Sequence, residues 1–308
     1  MMTRRERLMK TLKGEAVDRR HHSFPRQGLS GFQASVLCAL CVLCAPWAEP
    51  QSAPHASIAR AGQTEHLLAA GTKWQTPYYV IDSNKPGPTV MIVGGVHGNE
   101  RAGAGAAEEI RHWPIVRGKL LVVPRASVPA LLANKRCDPN DPSEAGNLNR
   151  NFPCKGGLDE PRGVAAQAIW QLAARTRPDW LVDLHEGINF RKIDANSTGG
   201  SIIRTNSDEV RRVSQIMLDA VNATIDDQKQ KHVLLMGPAK GSLARAAWER
   251  LQAKAMILET CRKDRLDVRI RQHRLMIHAL LTDMKMIDQP APEPPATMGS
   301  QPVKAGKR

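Results

Sequence analysis

The chain has 308 residues, 42% of them hydrophobic, enough to bury a full core, and between its polar or low-complexity ends one domain is expected. Its net charge of +14 raises nucleic acid as a partner, but the leader (residues 1–31) carries +5 and residues 289–308 carry +2, which leaves +7 for the middle. With aromatics at 4% and no basic patch interleaved with them, no nucleic-acid partner is expected.

Residues 1–61 combine a basic stretch, an apolar run from Ala34 to Ala45, and a Pro/Ala/Ser-rich stretch. This order reads as an export signal whose apolar part is too short for an ordinary membrane span; an uncleaved anchor or a cytoplasmic basic leader is the alternative. An exported chain would be periplasmic or secreted, touching the membrane only through that segment if it is uncleaved. Cys38, Cys41 and Cys44 lie in the run, leaving Cys137, Cys154 and Cys261 to the remainder. In an oxidising compartment Cys137 and Cys154 have the option of a bridge worth roughly 3 kcal/mol in the loop-entropy model, against three unpaired thiols.

Residues 62–288 alternate strand and helix patterns. Lys73–Asp82, rich in Tyr and Val, predicts an edge strand. Thr89–Val93, Leu120–Val123, Trp180–Leu184 and Met256–Leu258 are continuous apolar runs that suit buried parallel strands. Helices are predicted at Arg101–Trp113, Gly163–Ala174, Asp208–Ala223, Ser242–Ala253 and Asp267–Met286. The pattern implies a three-layer α/β sandwich with a mixed, mainly parallel central sheet, in which ligands bind beyond the carboxyl ends of strands. Residues 289–308, Pro-rich and poor in apolar side chains, read as a disordered tail.

His97, His185 and Glu259 each fall at or just past a predicted strand end. His97 and Glu100, three residues apart in Gly94-Gly95-Val96-His97-Gly98-Asn99-Glu100, suit two ligands of one metal ion if the chain turns directly after the strand; His185 is the best third. His21, His22 and His55 lie in the leader, His273 and His278 on the last helix, and His66, His112 and His232 have no motif beside them.

Four motifs in order, HGNE at 97–100, NLNRNFP at 147–153, DLHEG at 183–187 and LET at 258–260, resemble the zinc metallocarboxypeptidase superfamily, and more closely its succinylglutamate desuccinylase/aspartoacylase-like deacylase branch. The resemblance implies one Zn²⁺ per chain on His97, Glu100 and His185, with Glu259 as general base toward a zinc-activated water. It implies that Asn149 and Arg150 grip the carboxylate of a small-molecule or peptide substrate, and that Arg136 is a second clamp, with Arg125 and Arg162 as alternatives. Glu186 competes with Glu259 for the base, but successive strand side chains point to opposite faces, which favours Glu259.

Three departures from the family pattern stand out. Asn147 stands where many carboxypeptidases carry an acid, so a bond from there to a zinc histidine comes from a neutral amide, while Asp183 offers itself to orient a ligand. No Tyr follows Tyr79 to match a late substrate-capping tyrosine, and only a short chain follows Glu259, too little for the β domain that roofs many deacylases. The leading expectation is a zinc-dependent hydrolase of an amide in a small carboxylate-bearing substrate, of the N-acyl amino acid deacylase type. The alternatives are an exported carboxypeptidase or amidase on cell-wall peptides, and a non-catalytic binding protein on the same fold.

Overall fold

Apolar runs without polar alternation need cover on both faces, and in the computed structural model the four such runs form the centre of one sheet. The described residues are 62–140, 146–288 and 290; the leader, its apolar run and the expected tail, save residue 290, lie outside them. In chain order the elements are β1 (Gln63–Leu68), β2 (Thr76–Asp82), β3 (Thr89–Gly94), α1 (Arg101–Ile110), β4 (Lys119–Val123), α2 (Val128–Ala133), a 3-10 turn (Leu148–Arg150), α3 (Val164–Thr176), β5 (Trp180–Gly187), β6 (Ser201–Arg204), α4 (Asp208–Asn222), β7 (Val233–Met236), α5 (Leu243–Leu251), β8 (Lys254–Cys261) and α6 (Leu266–Asp283).

The strand order is β1-β2-β4-β3-β5-β8-β6-β7. The central strands β4, β3, β5 and β8 are parallel. Strand β2 runs antiparallel to β4, and β6 antiparallel to β8, so the sheet is mixed with a parallel core. Alternation splits the core in two. Ile92, Val182, Leu184 and Leu258 pack with α1, α4 and α6, while Met91, Val93, Leu181 and Ile257 pack with α3 and α5. This is the expected three-layer α/β sandwich.

Side-chain caps start two of the helices: Ser207 accepts from the Val210 amide at 3.1 Å before α4, and Ser242 from the Arg245 amide at 3.2 Å before α5. Among the described residues no helix is long and apolar enough to cross a membrane.

Several expectations are corrected. The Tyr-rich strand is not at the edge, because β1 pairs outside it along Gln63–Leu68. Strand β1 is largely exposed, so it shows too little apolar content to be read from sequence. The short strands β6 and β7 and helix α2 were not predicted either; each is too short to show a period. Of the two alternatives left open for the cysteines the structure has the unpaired one: Cys137, Cys154 and Cys261 are free thiols.

Candidate active site

The segment after β3 turns at once. The Glu100 amide donates to the His97 carbonyl at 3.2 Å, which closes a four-residue turn and lays the two side chains together. Only glycine fits inside it: a Cβ on Gly98 would stand 1.9 Å from the Ala130 carbonyl of α2. Glu100 is the N-cap residue of α1 yet makes no side-chain cap, because its carboxylate faces the histidines instead.

His97 Nδ1 lies 2.9 Å from Glu100 Oε1, and His185 Nδ1 lies 2.8 Å from Glu100 Oε2. All three side chains are buried, and one ligand atom from each lies within 4.8 Å of the others. The outward ring nitrogens are held as well: His97 Nε2 is 3.1 Å from Asn147 Oδ1, and His185 Nε2 is 2.8 Å from Asp183 Oδ2, the latter without hydrogen-bond alignment. With protons on both Nε2 atoms, two imidazole lone pairs and a carboxylate aim at one buried point. That is repulsive unless a proton or a cation lies between them, so the donor set fits a divalent metal of zinc's nitrogen and oxygen preference.

The electrostatics agree. Burial works against the Glu100 charge, but His185 and His97 outweigh it and hold the carboxyl well below its usual range. Burial lowers His97. His185 is pushed well above its ordinary value, since Asp183 and Glu100 outweigh its burial. A metal ion held there would displace the proton they favour on His185.

Glu259 is the register partner of His185 across β5 and β8, on the same face of the sheet. Burial, reinforced by Glu100 and opposed by His185, lifts its carboxyl to about 8. Glu186, one residue beyond His185, points to the other face and pairs with Arg269 of α6. Asn149 is buried, its Nδ2 3.5 Å from His185 Nε2 and its Oδ1 accepting from the Leu243 amide at 3.4 Å. Arg150 is exposed and donates from Nη1 to the Asn149 carbonyl at 2.7 Å. Arg136, 51% exposed, donates to Glu100 Oε1 at 2.6 Å.

The structure thus brings His97, Glu100, His185, Glu259, Asn149 and Arg136 into one cluster and leaves the Arg150 guanidinium turned onto the backbone at its edge. Of the alternatives to Arg136, Arg162 donates to Asn151 Oδ1 and Arg125 is exposed. Sequence reasoning missed Thr198, whose side chain hydrogen-bonds Glu259 from the segment before β6. No motif marks it; only the pairing of Ser201 with Glu259 brings that segment across the site.

Residues 86–282 match the model of the succinylglutamate desuccinylase/aspartoacylase catalytic domain. Over 132 residues, 41% of this chain and 36% of the relative, the sequence is 31% identical to N-alpha-acetyl-L-2,4-diaminobutyric acid deacetylase of Halomonas elongata. The chain therefore spans little more than a third of that protein. Among solved structures, product-bound cell shape determinant protein Csd4 from Helicobacter pylori superposes with a TM-score of 0.60 at 20% identity, over 76% of this chain and 57% of that one. The succinylglutamate desuccinylase/aspartoacylase from Rhodobacter sphaeroides gives 0.54 at 19% identity, over 75% and 66%. Both likenesses are of fold.

Proposed function

This chain belongs to the succinylglutamate desuccinylase/aspartoacylase family, and on that premise we propose that it is a zinc-dependent hydrolase of an amide bond in a small carboxylate-bearing substrate, of the N-acyl amino acid deacylase type. The observation that carries the reading is the convergence of both histidine Nδ1 atoms on Glu100, with Glu259 in register beside His185.

A zinc ion on His97, Glu100 and His185 would supply Lewis-acid charge to polarise the scissile carbonyl and acidify water. Glu259 takes a proton from water and returns it to the departing amine. In the metal-free chain burial and the nearby Glu100 raise the proton affinity of this carboxyl. Arg150 turns from the Asn149 carbonyl to the substrate carboxylate, Asn149 adds an amide donor, and Arg136 moves from Glu100 onto the substrate. The apolar run at Ala34–Ala45 behind a basic leader makes export part of the same reading.

A second reading, a carboxypeptidase acting on short cell-wall peptides, is favoured by the half-exposed Arg136 and by a fold shared with Csd4, which is a D,L-carboxypeptidase. One experiment separates the two. The purified chain is assayed for zinc and then offered N-acyl amino acids and muropeptides. Release of acetate or succinate supports the first reading and release of a terminal residue the second. A folded chain that takes up no zinc would falsify both.

A further inference from the structure

The side of the sheet away from the metal-binding cluster carries polar groups at the height of the cluster. Strand alternation turns Glu186 and Thr260, each one residue past a site residue, toward α6. The two are register partners, as His185 and Glu259 are. On α6, Arg269 and His273 stand one helical turn apart and meet them: Arg269 Nη1 pairs with Glu186 Oε1, and His273 Nε2 is 3.2 Å from Thr260 Oγ1. The His273 ring also faces the His185 backbone. The Glu186 carboxylate faces the Ala102 amide in the first turn of α1, and the Glu186 amide donates to Glu100 Oε2 at 3.1 Å.

We propose that Arg269 and His273 are positioning residues: acting through Glu186 and Thr260, they fix the metal ligands Glu100 and His185 and the base Glu259 from the opposite face of the sheet. Stability alone does not account for the arrangement. The Arg269–Glu186 pair is made through one contact, leaving Glu186 Oε2 and Arg269 Nε buried without hydrogen-bond partners. A half-satisfied buried ion pair is usually no better for stability than apolar side chains of similar volume. Its geometric effect is specific: it holds the Glu186 backbone, and hence its amide, against Glu100. Groups that orient ligands in this way are worth about ten- to a hundredfold in metal affinity or activity.

The inference rests on the cluster being a metal centre, and it is tested in the full chain with Arg269→Met, Arg269→Lys, Thr260→Val and Thr260→Ser. Three quantities are measured: zinc affinity by chelator competition, hydrolysis of N-acetyl-L-2,4-diaminobutyrate, and melting of the metal-free protein. Arg269→Met is expected to weaken zinc about ten- to a hundredfold, with Arg269→Lys recovering most of it. Thr260→Val is expected to lower kcat about tenfold at unchanged KM and zinc affinity, and Thr260→Ser to restore it. Wild-type zinc affinity in Arg269→Met and wild-type kcat in Thr260→Val overturn the proposal. So do losses that Arg269→Lys and Thr260→Ser fail to recover and that follow the metal-free melting temperature. If Arg269→Met does not fold, Arg269→Lys and the Thr260 variants decide alone. A wild-type chain that binds zinc but cleaves nothing ends the deacylase reading, and the zinc measurement on Arg269 still decides this one.

Discussion

Glu259 stands opposite His185 across β8 and β5, Cα partner to Cα partner, with both side chains on the face that carries Asp183. The proposed metal ligand and the proposed base therefore share one strand pairing, and neither depends on a loop for its place.

Glu259→Gln keeps the shape and removes the carboxylate proposed as the base. Zinc content should stay at that of the wild type while kcat falls by about two to four orders of magnitude. Metal analysis and steady-state rates on the same preparation check it, and an unchanged rate sinks the assignment of the base.

Asn147 holds His97 through a neutral amide oxygen at 3.1 Å. A carboxylate there would raise the basicity of the ring, so Asn147→Asp should tighten zinc by up to about tenfold, while Asn147→Leu should weaken it ten- to a hundredfold. Chelator competition reads both, and equal affinities in the two variants would sever Asn147 from the site.

Zinc uptake should release protons at pH 7. Without metal, His185 sits well above its ordinary value and Glu259 at about 8, so both are mostly protonated there. An incoming cation displaces the first proton and pulls the second group down, for a release of up to about two protons. The sign follows: affinity rises with pH until both groups are deprotonated in the free protein. Calorimetry in buffers of different ionisation enthalpy gives the count, and a count of zero contradicts the prediction.

Acid should destabilise the fold through His232. Burial depresses its ring to about 4, so as pH falls below about 6.5 the unfolded chain takes up a proton that the native one refuses. Stability is therefore full above pH 6.5 and is lost by about 3 kcal/mol on reaching pH 4. Denaturant titrations across that window, compared with His232→Met, should show a flatter slope in the variant.

Gly98→Ala places a methyl 1.9 Å from the Ala130 carbonyl, which α2 can relieve only by moving. We expect a loss of about 1–3 kcal/mol, with zinc affinity reduced because the His97–Glu100 turn shifts with it. Denaturant melts of the metal-free protein together with zinc titration test the two effects separately.

Much of the frame was legible in the chain. The runs at Thr89–Val93, Leu120–Val123, Trp180–Leu184 and Met256–Leu258 lie in the buried centre of the sheet, so their composition announces them, and α4 carries a readable apolar stripe through Val210, Val213, Met217 and Val221. HGNE, NLNRNFP, DLHEG and LET were legible as chemistry because a metal cluster needs particular residue types at strand ends. Strands β6 and β7 were not, since four residues cannot display a period, and the partly buried β7 has no alternation to show.

The sequence by itself determined the residue types and their order: two histidines and two carboxylates at strand ends, an asparagine and arginines around them, and an alternation that already set Glu186 apart from Glu259. What only the tertiary structure decided is which atoms meet. Both Nδ1 atoms face Glu100, Asn147 and Asp183 stand behind the rings, Arg136 lies on Glu100, and α6 backs the cluster through Arg269 and His273. The reason is physical. Local periodicity assigns a side chain to a face, but contacts between residues far apart in the chain arise from sheet register and helix packing, which no local pattern encodes.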